Sequence, residues 1–363
     1  SRNLLGAFVA LELISLSLYA MTVLNQARRA SAEAALKYLT FGAVASGFLL
    51  FGLSYLYGAT GQLDLTQMTG LQHSPLIVLA YLLIFVGLGF KLALAPFHLW
   101  APDVYQCAPT PVAGWVATGS KIASAFLLIR ILHPVAANPD LHQATLSAFS
   151  AIAVVSMLIG NLGALRQTNL KRLLAYSGIA NMGYLLVGAI ALSTDGMASS
   201  LFYVVVYSLA NLGAFGVVAV LTDHLGREAR IDDFKGCWKR SPSLACAFLV
   251  FFLSLAGIPP LAGFVGKYYL FFAAIEKGSA LGSGLGDGYF LLVAFALLMS
   301  VVSLYYYVKV LKAFLVVNDE SDLAGPNLGT GAKVGLFALA FAVIALGLFP
   351  EPVMEFIRLA VIR

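Results

Sequence analysis

GFKLALAPFHLWAP (residues 89–102) places a lysine and a proline inside an otherwise apolar segment. The stretch SLAGIPPLAGFVGKYYLF (residues 254–271) has the same combination, with Pro259 and Pro260 ahead of Lys267. Proline removes a backbone donor and clashes with the preceding turn, so each stretch predicts a helix that is broken partway along its length. Unwound backbone at membrane depth is tolerated only where protein surrounds it or where it lines a wet cavity.

The composition is that of an integral membrane protein. Of 363 residues, 60% are hydrophobic and only 11% are charged. Apolar runs of about 20 residues are long enough to cross a membrane as helices. We count ten such spans, at residues 4–24, 34–57, 75–95, 111–132, 147–165, 170–192, 197–221, 243–275, 288–316 and 333–350. No stretch is polar enough for a separate soluble domain, so one all-α membrane domain, residues 1–363, is expected.

Basic residues between the spans predict an orientation. If the first span runs from outside to inside, thirteen Lys and Arg residues lie inside: Arg28, Arg29, Arg166, Lys171, Arg172, Arg227, Arg230, Lys235, Lys239, Arg240, Lys309, Lys312 and Lys333. Five lie outside: Arg2, Arg130, Lys277, Arg358 and Arg363. Loops on the cytoplasmic side carry the excess of basic residues, so both ends of the chain are predicted to lie outside. This topology accounts for the net charge of +5 without a nucleic-acid partner.

Five charged residues lie within the apolar runs: Glu12, Lys37, Lys91, Lys121 and Lys267. A charge at the centre of a membrane helix costs roughly 2.5–3.5 kcal/mol on insertion scales, so such residues usually have a function. Burial disfavours the charged form of a lysine, and a row of buried lysines can therefore exchange protons near neutral pH. The pattern predicts movement of protons or cations across a membrane.

Lys121, Glu12 and Lys91 are the deepest of these residues. Lys121 lies about ten residues into its span, too deep for its side chain to reach an interface. Glu12 is the only one of seventeen acidic residues that lies well inside a span. A buried ion should find its opposite, so Glu12 is expected to pair with a lysine, and Lys91 is the best candidate. A purely structural salt bridge is the alternative reading of that pair.

The remaining polar candidates allow two interpretations each. Lys267, beyond the second break, either releases protons outward or extends to the outer headgroups. Lys37, near the inner boundary, is either a relay residue or a boundary anchor. His98 and Asp103, after the first break, either line the inner mouth of a channel or stabilise a loop.

No cofactor or metal site is expected in this chain. Its three cysteines, Cys107, Cys237 and Cys246, lack the spacing of a metal site. The five histidines are scattered, and no pair on one helix face suits haem. A redox centre in this chain is therefore not expected.

Antiporter-type proton-channel subunits of bacterial NADH:quinone oxidoreductase, respiratory complex I, resemble this chain in four motifs. The motifs are GFKLALAPFHLWAPDVYQCAPTPV (89–112), GSKIASAFLLIR (119–130), GALRQTNLKRLLAYSGIANMGYLL (163–186) and SLAGIPPLAGFVGKYYLF (254–271). Within that family, the subunit N branch is the most similar, because basic residues stand in both broken helices. The resemblance covers essentially the whole chain.

This resemblance implies a fold of fourteen helices built from inverted five-helix repeats. The ten spans here resemble its helices 5–14, and two broken, antiparallel spans are what an inverted repeat leaves in a sequence. The chain begins at Ser1, directly before its first span, and is expected to be N-terminally truncated. Residues 4–136 would be the remainder of the first repeat, 147–316 the second repeat and 333–350 the final helix.

The resemblance also implies roles for single residues. Glu12 and Lys91 match the ion pair of the family, Lys121 matches its central lysine, and Lys267 matches the last residue of the half-channel that leads outward. Lys37 matches a lysine of the same polar axis. Two departures are visible: Cys107 replaces a usual glycine, which concerns local geometry. Asn181 stands where many relatives have histidine, which puts a proton relay there in doubt.

The function implied is that of a proton-translocating membrane subunit. NADH, FMN, iron–sulfur clusters and quinone would then be bound by other subunits. The expected partners are other membrane-arm subunits, including a neighbouring antiporter-like subunit, and the lipid bilayer of a bacterial inner membrane, which the chain would cross several times. One alternative is a subunit of a multisubunit cation/proton antiporter or of a membrane-bound hydrogenase. An alternative of another class is a structural membrane subunit that translocates nothing.

Overall fold

The structure, a computed structural model, describes residues 3–24, 29–68, 74–316 and 329–362. Fourteen α-helices lie in these ranges. They are α1 (Leu4–Thr22), α2 (Arg29–Thr60), α3 (Pro75–Leu92), α4 (Trp100–Cys107), α5 (Thr110–Leu132), α6 (Pro139–Leu165), α7 (Leu170–Ala189), α8 (Thr194–Leu225), α9 (Cys237–Arg240), α10 (Pro242–Ala256), α11 (Ala262–Leu281), α12 (Leu285–Val316), α13 (Thr330–Leu348) and α14 (Glu351–Ile362). Arg2, Arg28 and Arg363, which contribute to the predicted charge asymmetry, lie outside the described residues.

The helices confirm an all-α membrane fold with about ten spans. Among the described residues, eight helices are long and apolar enough to cross a membrane alone: α1, α2, α3, α5, α6, α8, α12 and α13. The ninth span is α7, which has 20 residues but carries Lys171 and Arg172 in its first turn. The tenth consists of α10 and α11, because the 15 residues of α10 extend only about 22 Å and cannot span the hydrocarbon core alone.

Several helices are longer than their predicted spans. The span predicted at residues 147–165 lies within α6, but this helix begins earlier, at Pro139. There Asn138 caps the helix by accepting hydrogen bonds from the backbone N–H groups of Asp140 and Leu141. Hydropathy marks the part of a helix that contacts lipid, whereas capping residues mark where the helix begins. Three of the described helices were not predicted, because their 8, 4 and 12 residues are too few to form a span: α4, α9 and α14.

Both predicted breaks are present. The third span unwinds at Ala93, whose φ of 58° is left-handed, and helical backbone resumes at Trp100. The eighth span unwinds at Gly257, with φ of 82°, and α11 starts at Ala262. Only glycine fits at position 263, because a Cβ there would overlap the carbonyl oxygen of Ser254.

The most buried helix, α7, lies at the centre of the bundle and packs against α4, α5, α6, α8, α11 and α12. Helices at the periphery expose apolar side chains, such as Leu13 on α1 and Phe341 on α13. Such faces suit lipid or another membrane subunit. The division of the chain into two inverted repeats stays a prediction.

Three connections meet at one end of the bundle. The backbone of Asn169, before α7, pairs with that of Arg230, which follows α8. The side chain of Lys171 reaches the carbonyl oxygen of Ala108, between α4 and α5. We call this end the inner end, following the orientation predicted from the charges.

Candidate functional site

Glu12 of α1 and Lys91 of α3 form an ion pair. Oε1 of Glu12 lies 2.9 Å from Nζ of Lys91. The hydroxyl of Ser46 donates to the same carboxylate oxygen at 2.7 Å, and Lys91 donates to Oγ of Ser15 at 2.6 Å. The Lys91 side chain is only 4% exposed, whereas that of Glu12 is 23% exposed. The predicted pairing is present, and each charge has a second polar contact.

Lys121 of α5 is completely buried, and no acidic side chain among the described residues forms an ion pair with it. Its Nζ has no hydrogen-bond partner in the part of the chain that the structure describes. The nitrogen lies 5.6 Å from the centroid of the Tyr207 ring, a distance typical of a cation–π contact. A Cβ on Gly178 of α7 would lie 2.9 Å from the same nitrogen, so the missing side chain leaves space for the amine.

Lys267 of α11 lies against the second break. Its Nζ is 3.4 Å from each of the carbonyl oxygens of Leu255 and Ala256, in the last turn of α10, and 3.2 Å from Oγ of Ser300. The last carbonyl groups of a helix have no partner within the helix and favour a nearby cation. The end of α10 therefore supplies the oxygen atoms that hold this lysine.

A hydrogen-bonded cluster surrounds Asn181 of α7. Oδ1 of Asn181 accepts from the hydroxyl of Tyr203 at 2.7 Å. Its Nδ2 donates to the carbonyl oxygen of Ser177 at 2.8 Å and to the hydroxyl of Tyr307 at 3.4 Å. All four residues are buried. Asparagine at this position thus accepts and donates, although it cannot be protonated as histidine can.

A small cavity connects this cluster with Lys267. Its volume is about 10 Å³, roughly the space of one water molecule. Asn181, Tyr203, Tyr207 and Lys267 are among the residues that line it. Since Tyr207 also lies beside Lys121, uncharged polar groups extend from one buried lysine to the other.

Sequence reasoning missed the tyrosines of this cluster. Tyr203, Tyr207 and Asn211 follow each other at intervals of four on α8, and this spacing places them on one helix face. The Asn211 amide donates to the Tyr207 hydroxyl at 3.2 Å. The repeated polar residue at i, i+4 inside an apolar span was the signal that could have found them.

Lys37 is more exposed than the other candidate lysines. Its side chain is 43% exposed, and its Nζ lies 2.9 Å from Glu33 and 3.5 Å from Oδ2 of Asp103. The other carboxylate oxygen of Asp103 accepts from Arg172 at 2.8 Å. Asp103 thus connects α2 with α7 at the inner end.

His98 lies in the unwound segment after Lys91. The residue is buried, and its Nδ1 lacks a hydrogen-bond partner among the described residues. Over the same residues, no three His, Cys, Asp or Glu side chains are grouped so as to hold a metal ion. The groups that the site does contain, amines, carboxylates and hydroxyls, are suited to proton exchange.

Two broken helices with buried lysines, inside a bundle of membrane helices, define an antiporter-like membrane protein. The family described as NADH:quinone oxidoreductase/Mrp antiporter, TM, matches residues 1–291, and this chain belongs to it. The chain is 46% identical to NADH-quinone oxidoreductase subunit N 2 of Acidobacterium capsulatum, and the match covers 99% of this chain and 73% of that protein.

Solved structures show the same likeness. A chain of respiratory complex I from Thermus thermophilus with bound aureothin is 39% identical, with a TM-score of 0.81, over 98% of this chain and 75% of that one. A chain of the Mrp complex from Dietzia sp. DQ12-45-1b has a TM-score of 0.87 at 22% identity, over 99% of this chain and 74% of that one, and shares the fold. The expected family and its subunit N branch are confirmed.

Proposed function

We propose that this chain is a proton-translocating membrane subunit of a bacterial NADH:quinone oxidoreductase, respiratory complex I. The observation that carries the proposal is the position of Lys121, which is 0% exposed and whose Nζ has no hydrogen-bond partner among the described residues. A charge without a partner is costly in such surroundings, so this amine is suited to hold a proton briefly and to pass it on.

The proposed route starts at the Glu12–Lys91 pair. Charge changes elsewhere in the complex would open and close this pair, and an opened pair would alter the charge that Lys121 experiences. Lys121 would then deliver its proton through the hydroxyl groups around Asn181 to Lys267. Release from Lys267 to the outside would complete the transfer.

Three further residues are proposed for the inner end of this route. Lys37 would belong to the same polar axis, and its contact with Asp103 supports that role. His98 and Asp103 would line the inner mouth. The partial exposure of Lys37 suits contact with water or with a neighbouring antiporter-like subunit, and either contact is compatible with proton exchange.

Oxidation and reduction would take place in other subunits. NADH, FMN, iron–sulfur clusters and quinone would be bound there, and this chain would respond to charge or displacement transmitted through the membrane arm. Residues 4–136 would be the remainder of the first inverted repeat and residues 147–316 the second repeat, followed by 333–350 as the final helix. The complex would lie in the bacterial inner membrane.

Replacement of Lys121 tests the proposal. Lys121→Met should abolish NADH-driven proton pumping in inverted membrane vesicles and leave the subunit assembled, because methionine suits the membrane better than lysine. The matched control is Lys309→Met, at an exposed position of α12, which should pump normally. Pumping and NADH-driven quinone reduction at unchanged rates in Lys121→Met would refute the proposed role.

Copurification separates complex I from its structural relatives. A tagged copy of this chain should carry NADH-oxidising and iron–sulfur subunits with it through detergent extraction. Recovery of antiporter or hydrogenase subunits instead would assign the chain to one of those complexes.

A further inference from the structure

The short helix α4 is held at both ends by neighbouring residues of α7. Lys171 donates to the carbonyl oxygen of Ala108, which follows α4, at 2.9 Å. Arg172 donates to Oδ1 of Asp103, in the first turn of α4, at 2.8 Å. Because α4 has only eight residues, an isolated helix of its length would be marginal. We call Lys171 and Arg172 the α4 clamp.

The N-terminal end of α4 is tied to the region of the ion pair. The indole N–H of Trp100, the first residue of α4, donates to the carbonyl oxygen of Phe90 at 3.1 Å. Phe90 directly precedes Lys91, which pairs with Glu12. The ring of Tyr38 from α2 stacks on Trp100, with 4.4 Å between the ring centroids. A displacement at Lys91 would therefore be felt by α4.

The other side of the clamp leads to Lys121. Gly178 lies six residues after Arg172 on α7, about 9 Å along the helix, and forms the wall beside Nζ of Lys121. Ser177 and Asn181 of the same helix belong to the hydrogen-bonded cluster around Asn181, which we call the hydroxyl cluster. A shift of α7 would therefore change the space around Lys121 and the geometry of the cluster together.

The contact between Arg172 of the clamp and Asp103 of α4 is an ion pair that is only partly buried. Side chains of Arg172 and Asp103 are 30% and 36% exposed. The second oxygen of Asp103 already lies 3.5 Å from Lys37, so a second cation is at hand if Arg172 moves away. Ion pairs of this exposure contribute at most about 1 kcal/mol, and they can break and form again during a cycle.

A second set of hydrogen bonds fixes the position of the Arg172 side chain. Arg172 also donates to Oε1 of Gln106 at 3.2 Å, and Gln106 donates to Glu228 at 3.2 Å. Glu228 accepts from Asn169, the capping residue of α7, at 2.8 Å. The connection after α8 thus closes a ring of hydrogen bonds around the first turn of α7.

We propose that Lys171 and Arg172 are positioning residues that transmit displacement of α4 to α7 and so link the Glu12–Lys91 pair to Lys121. The inference rests on the proposed function and adds to it a mechanical connection between the first broken helix, which carries Lys91, and the buried amine of Lys121 on α5. An anchor without this role would affect the amount of assembled complex but not the performance of each assembled copy.

The experiment compares variants in the whole complex, purified and reconstituted into liposomes. Arg172→Gln keeps a polar side chain but removes the charge that holds Asp103. Proton pumping is divided by NADH oxidation with an artificial electron acceptor, which counts assembled enzyme. We expect Arg172→Gln to lower this ratio roughly fivefold and Arg172→Lys to restore at least half of it, since a lysine retains the charge.

Asp103→Asn removes the same contact from the side of α4. It should cause a similar loss, and the double variant Asp103→Asn/Arg172→Gln should be no worse than either single variant. The matched control is Arg166→Gln, because Arg166 and Arg172 line the same cavity of about 810 Å³ at the inner end. The control should pump normally.

Two results would refute the proposed role of the clamp. The first is a wild-type ratio in assembled Arg172→Gln enzyme. The second is failure of both Arg172→Gln and Asp103→Asn to assemble, which would make the pair a structural anchor. Lys121→Met, measured in parallel, separates the two proposals: loss of pumping there with normal pumping in Arg172→Gln refutes only the clamp, whereas normal pumping in Lys121→Met refutes the function on which the clamp depends.

Discussion

The ion pair between Glu12 and Lys91 gives the sharpest prediction, because its geometry sets a magnitude. At 2.9 Å, two unit charges attract by about 6 kcal/mol at an effective dielectric constant of 20 and by about 1.4 kcal/mol in water. Lys91 is nearly fully buried and Glu12 is 23% exposed, so the surroundings of the pair lie between these limits. We expect a coupling energy of about 2–3 kcal/mol, at the upper end for residues in contact.

The double-mutant cycle consists of Glu12→Ala, Lys91→Ala and the double variant. Each single change should impair turnover by about 2–3 kcal/mol, because it leaves one buried charge without its partner. This is less than the loss of about 3–5 kcal/mol where such pairs are fully buried, since Glu12 is partly exposed. The double change should cost about as much as one single change. Expressed as pumping rate for each assembled complex, the double variant should be roughly 30-fold to 150-fold faster than additivity predicts.

An exposed pair provides the matched control. Glu33 and Lys37 are also 2.9 Å apart, but their side chains are 69% and 43% exposed. Exposed pairs at i, i+4 couple by only about 0.3–0.5 kcal/mol, so this second cycle should be nearly additive. Additivity within about 0.5 kcal/mol at Glu12 and Lys91 would mean that the pair does not act as a unit, and our reading of the site would be wrong.

Three further predictions concern α7, α11 and the loop after α8. Gly178→Ala should slow proton pumping without loss of assembly, because the new methyl group would lie 2.9 Å from the amine of the central lysine. A cysteine at position 267 should react with a membrane-impermeant thiol reagent added from outside, since Lys267 is proposed to release protons there. Burial alone would raise the pKa of Asp233, but hydrogen bonds from the side chain of Arg227 and the backbone of Arg230 outweigh it and lower that pKa. A carboxylate of lowered pKa stabilises the fold above its ordinary pKa and less so as the pH falls through the lowered value, so proteolysis of the loop after α8 should increase in acid.

Each of these predictions has its own control. Gly47→Ala, where nothing lies within 4 Å of the new Cβ, should leave pumping unchanged, and an equal effect of both alanines would disprove the steric argument. Labelling at 267 only from the cytoplasmic side would overturn the predicted orientation and the exit role of Lys267. Asp233→Asn should remove the acid dependence of proteolysis, and an unchanged dependence would exclude this carboxylate as its cause.

Sequence reasoning reached the fold because each break and each buried charge is a local signal. A proline inside an apolar run predicts an unwound turn wherever it stands, and both breaks are present. Cys107, in place of the usual glycine, was expected to affect a loop, but it ends α4 with helical backbone and needs no glycine. Helix ends that extend beyond the lipid, such as the start of α6 at Pro139, were not predicted. Hydropathy identifies only the part of a helix that lies within the membrane.

The surroundings of the lysines were less accessible to sequence reasoning. Pairing of Glu12 with Lys91 followed from charge balance, since one acid had few possible partners. The contacts of Lys267 with Leu255 and Ala256 are to backbone oxygens, which no residue type reveals. The link from Asp103 to Arg172 joins residues far apart in the chain and depends on the packing of α4 against α7.

The amide of Asn181 gives the hydroxyl cluster a fixed polarity. Its oxygen can only accept, so the Tyr203 hydroxyl points toward it, and its nitrogen can only donate, so the Tyr307 oxygen must receive. A histidine could exchange these roles by moving its proton from one ring nitrogen to the other. In a chain of water molecules, each molecule can reverse its hydrogen bonds by rotating, because water both donates and accepts. In the segment that we propose carries protons from Lys121 to Lys267, the amide of Asn181 therefore keeps one direction of hydrogen bonding. The hydroxyl groups beside it have to reorient after each proton.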